Sequence, residues 1–206
     1  MSRDFRAELT ADKCWDRTTQ TLMDEHGEPL EEGILQNREE LIGLCELIEE
    51  RDIRSYLEIG LWTGGLISAL HRLFSFERVA ACDHGWAEAQ GLRIRVPAEA
   101  AFFRGNSESE EYRAWRRELG RIDLVFIDAN HAYHAVKRDF EINRAFPHRF
   151  LAFHDITGAT RQTSGVARFW RELDHGYKRE IIRPHRELGF DHSTMGIGIW
   201  SESEWL

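Results

Sequence analysis

Two pairs of acidic and imidazole side chains carry the groups in this chain best suited to chemistry. Asp128 precedes His131 by three residues, and His154 is followed at once by Asp155. A histidine titrates near neutrality and can remove a proton from a hydroxyl. Carboxylate oxygens are the ligands that a hard cation such as Mg²⁺ prefers. The pattern therefore predicts proton transfer by His131 and Asp128, and a cation held by Asp128 and Asp155.

The two histidines of these pairs differ in how well they suit those roles. His131 lies at the start of a predicted helix, so the alternative is a histidine bonded only to nearby backbone. His154 is a further candidate metal ligand. A hard-cation site prefers oxygen, whereas imidazole favours zinc or iron. His154 is therefore also interpreted as a hydrogen-bonding partner behind the ligands.

A glycine-containing segment, Tyr56 to Gly65, predicts a ligand-binding turn. Strand-forming residues run to Ile59, and Gly60 permits a sharp turn. Gly64 and Gly65 let backbone N–H groups approach a ligand where a helix begins. The order Glu-x-Gly-x-x-x-Gly-Gly differs from the G-x-G-x-x-G of dinucleotide sites. The alternative interpretation is a tight strand-to-helix turn of any α/β protein.

The elements that must position these residues are alternating strands and helices. Apolar or strand-forming runs predict strands over 55–59, 78–83, 100–104, 124–127, 150–153, 177–182 and 194–200. Apolar residues at helical spacing follow the first, third, fourth and fifth of them. The last two strands have few helical residues between them. The prediction is a Rossmann-like, mostly parallel seven-stranded sheet with helices on both faces and one antiparallel strand near the C-terminus.

The predicted strand ends gather the polar residues. Glycine or carboxylate residues follow each of the first five strands, and ligands bind beyond the carboxyl ends of such sheets. Two helix starts are also indicated. Asn37 with Glu40 predicts the beginning of one helix, and Ser107 with Glu110 forms a predicted capping box for another.

Composition limits the classes of partner. The chain has 206 residues, a formal net charge of −9 and a sequence pI near 5.6, which argues against nucleic acid or an anionic membrane as the main partner. No apolar run approaches a membrane span, and no signal peptide is predicted. Three scattered cysteines predict reduced thiols. We expect a cytoplasmic protein with an arm or lid over 1–35 and one domain over 36–206, and a homodimer is an open alternative.

From Gln36 to Trp200 the chain resembles a small class I S-adenosylmethionine-dependent methyltransferase. The glycine segment is similar to the first motif of that class. The segment from Phe126 to Tyr133, with its D-x-x-H-x-Y order, resembles a bacterial branch that includes cephalosporin-hydroxylase-like proteins and macrolide-sugar O-methyltransferases. Phe153 to Ile156 and Met195 to Ile199 are similar to the same branch. His154 stands where the macrolide enzymes carry a glutamate.

The resemblance implies S-adenosylmethionine as cofactor and leaves Mg²⁺ open as a second one. The implied cofactor-binding residues are Glu58, Gly60, Trp62, Thr63, Gly64, Asp83, Asn106, Ser107 and Asp128. Asp83 ends the second strand, where a carboxylate can accept hydrogen bonds from ribose hydroxyls. Four of them have an ordinary alternative. Asp83 could be a solvated loop residue, Glu58 half of a structural ion pair, Trp62 core packing and Ser107 a helix cap.

The leading hypothesis for function is O-methylation of a small hydroxylated molecule, of the sugar or polyketide type. Two other functions stay open at this point. One is a nucleotide-dependent oxidoreductase on the same kind of sheet, against which the missing G-x-G-x-x-G counts. The other is a protein that binds the cofactor without turnover.

Overall fold

The protein is built on one seven-stranded sheet with helices on both faces. The computed structural model describes residues 3–11, 34, 36–158, 160–184 and 195–204. The strands are β1 (Ser55–Ile59), β2 (Arg78–Asp83), β3 (Ala101–Arg104), β4 (Ile122–Ile127), β5 (His148–Phe153), β6 (Tyr177–Ile181) and β7 (Ile197–Ser201). The helices are α1 (Phe5–Ala11), α2 (Arg38–Glu50), α3 (Gly65–Phe74), α4 (Trp86–Ala89), α5 (Glu110–Glu118), α6 (Tyr133–Arg144) and α7 (Ser164–Glu172).

The strand order is β3-β2-β1-β4-β5-β7-β6. The pairs from β3 to β5 are all parallel, and β7 is antiparallel to both of its neighbours. The predicted fold class is therefore confirmed, including the single antiparallel strand. The order reverses at β1, whose neighbours are β2 and β4. Such a reversal opens a crevice at the carboxyl edge of the sheet, where ligands bind in folds of this kind.

Alternation along β1 divides the core between the two faces of the sheet. Tyr56 packs into a cluster with apolar residues of α1, α2 and α3. Leu57 and Ile59 point to the opposite cluster, which contains apolar residues of α5, α6 and α7. All five residues of β1 are buried. A strand covered on both faces explains why Tyr56, Leu57 and Ile59 are apolar, and it makes the buried Glu58 an exception.

One of the two predicted helix starts is correct, and the other is wrong. Asn37 caps α2, because its side chain accepts hydrogen bonds from the backbone N–H groups of Glu39 and Glu40. The cap of α5 is Ser109 rather than Ser107, and its hydroxyl accepts from the Tyr112 N–H at 3.1 Å. The Ser107 hydroxyl instead donates to Asp139 on α6 at 2.7 Å, a tertiary contact that local spacing does not reveal.

The segment predicted as an arm or lid contains α1. In this helix Phe5 is 3% exposed and Leu9 is fully buried, and both belong to the cluster formed with α2 and α3. The described part of the segment is therefore packed into the core. The rest of the predicted arm, apart from residue 34, lies outside the described residues. Within the described part of the chain, no helix is both long and apolar enough to cross a membrane.

Candidate active site

The ends of β4 and β5 bring Asp128, His131, His154 and Asp155 together. Asp128 follows β4, and the turn into α6 returns the His131 side chain toward it. The Nε2 atom of His131 lies 3.2 Å from Asp128 Oδ1 and 3.4 Å from Asp155 Oδ2. The His131 side chain is 31% exposed, so a ligand can reach this imidazole. The structure thus joins all four residues that the sequence singled out for catalysis and metal binding.

Asp155 is held in an unusual backbone conformation. Its φ is +62°, in the left-handed region that aspartate tolerates more readily than most residues. The next residues are held by pairing with the segment before β7, since the Thr157 N–H donates to the Met195 carbonyl at 3.0 Å. Strained conformations of this kind cluster at functional sites. The turn directs the Asp155 carboxylate toward the end of β4.

His154 contacts the same two carboxylates from a buried position. Its Nδ1 lies 3.3 Å from Asp128 Oδ2 and 3.4 Å from Asp155 Oδ2, and the residue is 4% exposed. Its other ring nitrogen is buried without a hydrogen-bond partner in the described part of the chain. His154 is therefore aimed at the carboxylates, while His131 meets them from the accessible side.

The donor set fits a divalent cation. One ligand atom from each of Asp128, His131 and Asp155 lies within 4.8 Å of the others. Two hard carboxylate oxygens suit Mg²⁺, and an added imidazole nitrogen also suits first-row transition metals. The group differs from the predicted ligand set, because His131 joins the two aspartates where the sequence indicated His154.

The charges of the cluster shift one another. Burial by itself raises the pKa of Asp128, but the neighbouring His154 and His131 outweigh it and hold that pKa below its ordinary value. The hydrogen bond with Asp128 raises the pKa of His131 against the effect of burial. For His154, burial lowers the pKa, but Asp128 and Asp155 raise it well above the ordinary value. In their protonated forms the two imidazoles neutralise the two carboxylates.

Gln36 is a site residue that sequence reasoning missed. It is 3% exposed, immediately precedes the cap of α2, and its Nε2 donates to Asp128 Oδ2 at 2.9 Å. No motif marks a single glutamine 92 residues before its partner. Only the position of Gln36 beside a predicted helix cap could have drawn attention to it.

The predicted glycine turn lies beside this cluster and is shaped by close backbone contacts. A Cβ atom on Gly60 would lie 2.1 Å from the Asp128 carbonyl oxygen, and one on Gly64 would lie 1.8 Å from the Arg95 carbonyl oxygen. Both glycines have a φ of +85°, which favours glycine. At Gly64, where a ligand was expected to approach closely, the close approach is made by the protein backbone. Thr63 is 1% exposed, and its carbonyl accepts from the Arg95 N–H at 2.9 Å.

Asp83 joins the ends of β1 and β2. Its Oδ2 accepts from the Leu61 N–H at 2.8 Å, and its Oδ1 accepts from the Gly85 N–H at 2.6 Å. The residue is 7% exposed, so it is not a solvated loop aspartate. Each carboxylate oxygen can accept more than one hydrogen bond, which leaves capacity for ligand hydroxyls.

Glu58 lies inside the sheet beneath the site. It is 2% exposed and accepts a hydrogen bond from the Tyr56 hydroxyl at 2.8 Å. Burial raises the pKa of Glu58 well above its ordinary value. A partner hydroxyl on the neighbouring same-face position explains how a polar side chain is accommodated in this strand.

The remaining predicted cofactor residues follow β1 and β3. Trp62 has a φ of +52°, and its ring centroid lies 5.0 Å from that of Trp86. Asn106 is exposed and accepts from the Glu108 N–H at 2.9 Å. Ser107 contacts Asp139, as described above. Of these three residues, Trp62 is in the glycine turn, and the other two follow β3.

Comparison with known proteins shows which family this arrangement resembles. Residues 57–156, from within β1 to the turn after β5, match the family model described as a methyltransferase domain. These residues are therefore similar to that methyltransferase family. The match contains the glycine turn and Asp83, together with the Asp128, His131, His154 and Asp155 cluster. The match agrees with the predicted methyltransferase class of enzyme.

Solved methyltransferases share the fold at low sequence identity. The O-methyltransferase from Bacillus cereus, in complex with SAH, is 13% identical with a TM-score of 0.57, over 97% of this chain and 91% of that one. The O-methyltransferase TomG from Streptomyces achromogenes, in complex with SAM, is 17% identical with a TM-score of 0.59, over 98% and 92%. The MycE methyltransferase, with Mg, SAH and mycinamycin VI, is 15% identical with a TM-score of 0.53, over 78% and 48%.

One curated relative is similar over part of the chain. The uncharacterized protein y4gI of Sinorhizobium fredii (strain NBRC 101917 / NGR234) is 34% identical over 87 residues. The match covers 41% of this chain and 9% of that protein. The likeness is therefore to one segment of a much longer chain.

Proposed function

We propose that the methyltransferase transfers a methyl group to a hydroxyl oxygen of a small molecule, of the sugar or natural-product type, with His131 as the base. The observation that carries this proposal is the meeting of Asp128, His131 and Asp155 ligand atoms within 4.8 Å at the carboxyl edge of the sheet. This group pairs a reachable imidazole with two carboxylates. It is suited to holding and deprotonating a hydroxyl beside a cofactor.

The reaction is a direct displacement. The bond between the hydroxyl oxygen and the methyl carbon forms as the carbon–sulfur bond of the sulfonium breaks, and the hydroxyl proton must leave. The neutral imidazole of His131 takes that proton. Asp128 and Asp155 then stabilise the resulting imidazolium, since both carboxylates lie within 3.4 Å of its Nε2 atom. Alignment of the hydroxyl is the other contribution that the site makes.

We place a divalent cation on Asp128 and Asp155, with His154 behind them. Such a cation lowers the pKa of a hydroxyl and fixes its direction. The chemistry of the donor set supports this, because both carboxylates are directed to one point at the mouth of the site. The MycE structure, which contains Mg, is consistent with the same placement in a protein of this fold.

We place the cofactor along the glycine turn, with Asp83 toward its ribose. Support comes from the position of Asp83 between the Leu61 and Gly85 amides and from the reversal of strand order at β1. Trp62 borders the same turn. Glu58, Thr63, Asn106 and Ser107 keep their proposed cofactor roles, although the described contacts of all four are made within the protein. Asp128 borders both the cofactor turn and the acceptor cluster.

The proposal of a small hydroxylated acceptor is supported by the chemistry of the site and by the solved structures that share the fold. TomG is described as involved in tomaymycin synthesis, and the MycE complex contains mycinamycin VI. Both point to small-molecule acceptors. We propose a cytoplasmic enzyme that acts on a small molecule rather than on nucleic acid or at a membrane. A homodimer and the single-domain boundary at residue 36 stay predictions.

The test is methyl transfer from isotopically labelled S-adenosylmethionine to a panel of hydroxylated sugars and polyketide glycosides. Mass spectrometry of the purified protein identifies any co-bound S-adenosylmethionine or S-adenosylhomocysteine, and elemental analysis identifies any metal. We expect labelled methyl ether products, and we expect EDTA to abolish turnover while cofactor binding stays intact, because the cation orients the acceptor.

Each part of the proposal has its own contrary result. Full turnover after exhaustive chelation would remove the cation from the site. Methylation at nitrogen or carbon alone would contradict the acceptor class. Cofactor binding with no transfer to any acceptor, and unchanged binding after loss of His131, would support the binding protein without turnover instead. Oxidation of NADH by the protein would support the oxidoreductase alternative.

A further inference from the structure

Gln36 contributes to the acidic cluster from outside the matched methyltransferase domain. The family match begins at residue 57, whereas Gln36 directly precedes the cap of α2. Its side chain is buried, and its Nε2 lies 2.9 Å from Asp128 Oδ2. A carboxylate can only accept hydrogen bonds, so the amide nitrogen is the group that faces it. The contact is therefore a directional bond from donor to acceptor.

The two oxygens of Asp128 have separate sets of partners. Oδ2 is contacted by Gln36 Nε2 at 2.9 Å and by His154 Nδ1 at 3.3 Å. Oδ1 is contacted by His131 Nε2 at 3.2 Å. Two partners occupy the two lone-pair directions of Oδ2. Asp128 therefore presents Oδ1 alone to His131 and to the open side of the cluster.

The Gln36 side chain does not have the contacts expected of a residue kept for stability. Its Oε1 is buried without a hydrogen-bond partner among the described residues. A buried amide oxygen left unsatisfied costs stability, and such groups in native structures call for a specific explanation. The single bond to Asp128 is the only described polar contact that the amide makes.

The backbone around Gln36 is firmly anchored. The Asn37 side chain donates to the Arg183 carbonyl at 3.0 Å. The Glu40 carboxylate accepts from the Arg183 N–H at 3.3 Å and from the Gly196 N–H at 2.9 Å. These bonds fasten the first turn of α2 to the segments after β6 and before β7. Gln36 therefore reaches Asp128 from a fixed support.

We infer that Gln36 is a positioning residue, which holds Asp128 Oδ2 so that Oδ1 is turned toward His131 and the acceptor hydroxyl. The catalytic purpose of Gln36 in this inference rests on the proposed function. The orientation of Asp128, however, can be measured without any acceptor. The N–H group of the Gln36 amide is the part of the side chain that holds Asp128. A side chain of the same length without that donor should release Asp128.

Two variants separate the donor from the shape of the side chain. Gln36→Met keeps the length and lacks polar atoms, whereas Gln36→Glu keeps an oxygen and lacks the donor. We expect both to lower kcat by about 10–100-fold, as for other outer partners of active-site ligands, with KM for S-adenosylmethionine unchanged. Gln90→Met, which removes an exposed glutamine, is the matched control and should keep parental kcat.

Thermal unfolding distinguishes positioning from a structural role. Gln36→Met removes the unsatisfied buried oxygen, so we expect its Tm to equal or exceed that of the parent while kcat falls. A lowered Tm in step with the loss of activity would overturn the inference. Parental kcat in Gln36→Glu would overturn it as well, as would weakened S-adenosylhomocysteine binding in calorimetry.

If no acceptor is found, crystal structures of the parent and of Gln36→Met test whether Gln36 positions Asp128. We expect Asp128 to rotate in the variant, with Oδ1 no longer within hydrogen-bond distance of His131 Nε2. An unmoved Asp128 would overturn the inference. If Asp128 rotates in the variant but the parent transfers no methyl group, the inference about Gln36 is supported. The lack of methyl transfer would contradict the proposed function.

Discussion

At the scale of single residues, the cluster at the ends of β4 and β5 balances charge in a small volume. His131 and His154 each lie within 3.4 Å of both Asp128 and Asp155. His154 is buried and His131 is accessible, so the two imidazoles are not equivalent. The accessible one can exchange a proton with a ligand, and the buried one stabilises the carboxylates from behind.

The first prediction concerns His131. The hydrogen bond with Asp128 raises the pKa of His131 above 6.5, so the imidazole becomes a neutral base only at a higher pH. We expect the rate to rise with pH, with the ascending limb above about 6.5. His131→Ala should lose that limb and lower turnover by about 10²–10⁴-fold, measured as methyl transfer across a pH series.

The control for this variant is His134→Ala. His134 is an exposed histidine three residues further along the chain, and its loss should leave both turnover and the pH profile unchanged. S-adenosylhomocysteine affinity should be parental in both variants. Parental turnover in His131→Ala would mean that the histidine is only a helix-start residue, and Asp128 would become the next candidate for the base.

At the scale of secondary-structure elements, α2 links the site to the antiparallel end of the sheet. Its cap, Asn37, and its buried Glu40 bind backbone groups of Arg183 and Gly196. The preceding residue, Gln36, binds Asp128. One helix start therefore connects β6 and β7 to the end of β4. Sequence reasoning identified this helix start but not the distant segments to which it is hydrogen-bonded.

The second prediction is a pH-dependent stability that arises from Glu40. Burial raises the pKa of Glu40 from 4.5 to about 7, against hydrogen bonds from Gly196 and Arg183. The folded state thus binds more protons than the unfolded state between these values. The stabilisation is complete below the unfolded pKa and is lost as the pH rises through about 7, by a total of about 3 kcal/mol.

Urea unfolding at several pH values between about 5 and 8 checks this sign. Glu40→Gln stays neutral, so its free energy of unfolding should fall less steeply with pH than that of the parent. Glu46→Gln removes an exposed carboxylate from the same helix and should keep the parental slope. An equal slope in parent and Glu40→Gln would show that Glu40 does not titrate in this range.

At the scale of the whole molecule, the two edges of the parallel strands have different roles. Asp83 accepts two backbone N–H groups at the carboxyl edge. Asp123 accepts the Arg54 and Ser55 N–H groups near the start of β1 and β4. The two aspartates make similar bonds within the protein, but only Asp83 lies where the fold binds ligands.

The third prediction is that S-adenosylhomocysteine stabilises the whole protein through the carboxyl edge. At about 100 times Kd the gain is about 2.7 kcal/mol, or about 5–10 °C in Tm for a chain of this size. Asp83→Ala should lose ribose hydrogen bonds, weaken binding by about 1–3 kcal/mol and reduce the shift at the same ligand concentration. Thermal unfolding with and without S-adenosylhomocysteine measures this shift in Tm.

Asp123→Ala serves as the matched variant. It also loses two backbone hydrogen bonds, so its Tm without ligand should fall, yet its shift on adding S-adenosylhomocysteine should be parental. If Asp83→Ala retained the full shift, Asp83 would be a purely structural link between β1 and β2, and the assignment of the ribose site would have to move.

The sequence by itself determined the elements and the residues at their ends. The buried strand at 124–127 is marked by a continuous apolar run, the strand at 55–59 by strand-forming residues, and the turn at Gly60 by a residue type that a sharp bend requires. Asp128 and His131 could be paired because a spacing of three residues is short. These are local signals, since they depend on the periodicity and conformational preferences of neighbouring residues.

Only the tertiary structure decided which distant side chains meet. Gln36 reaches Asp128 across 92 residues, and Ser107 leaves its predicted cap for Asp139, 32 residues away. The same packing placed His131, rather than His154, on the accessible side of both carboxylates. No local pattern encodes such contacts, because they follow from the order of strands in the sheet and from the helices packed across it.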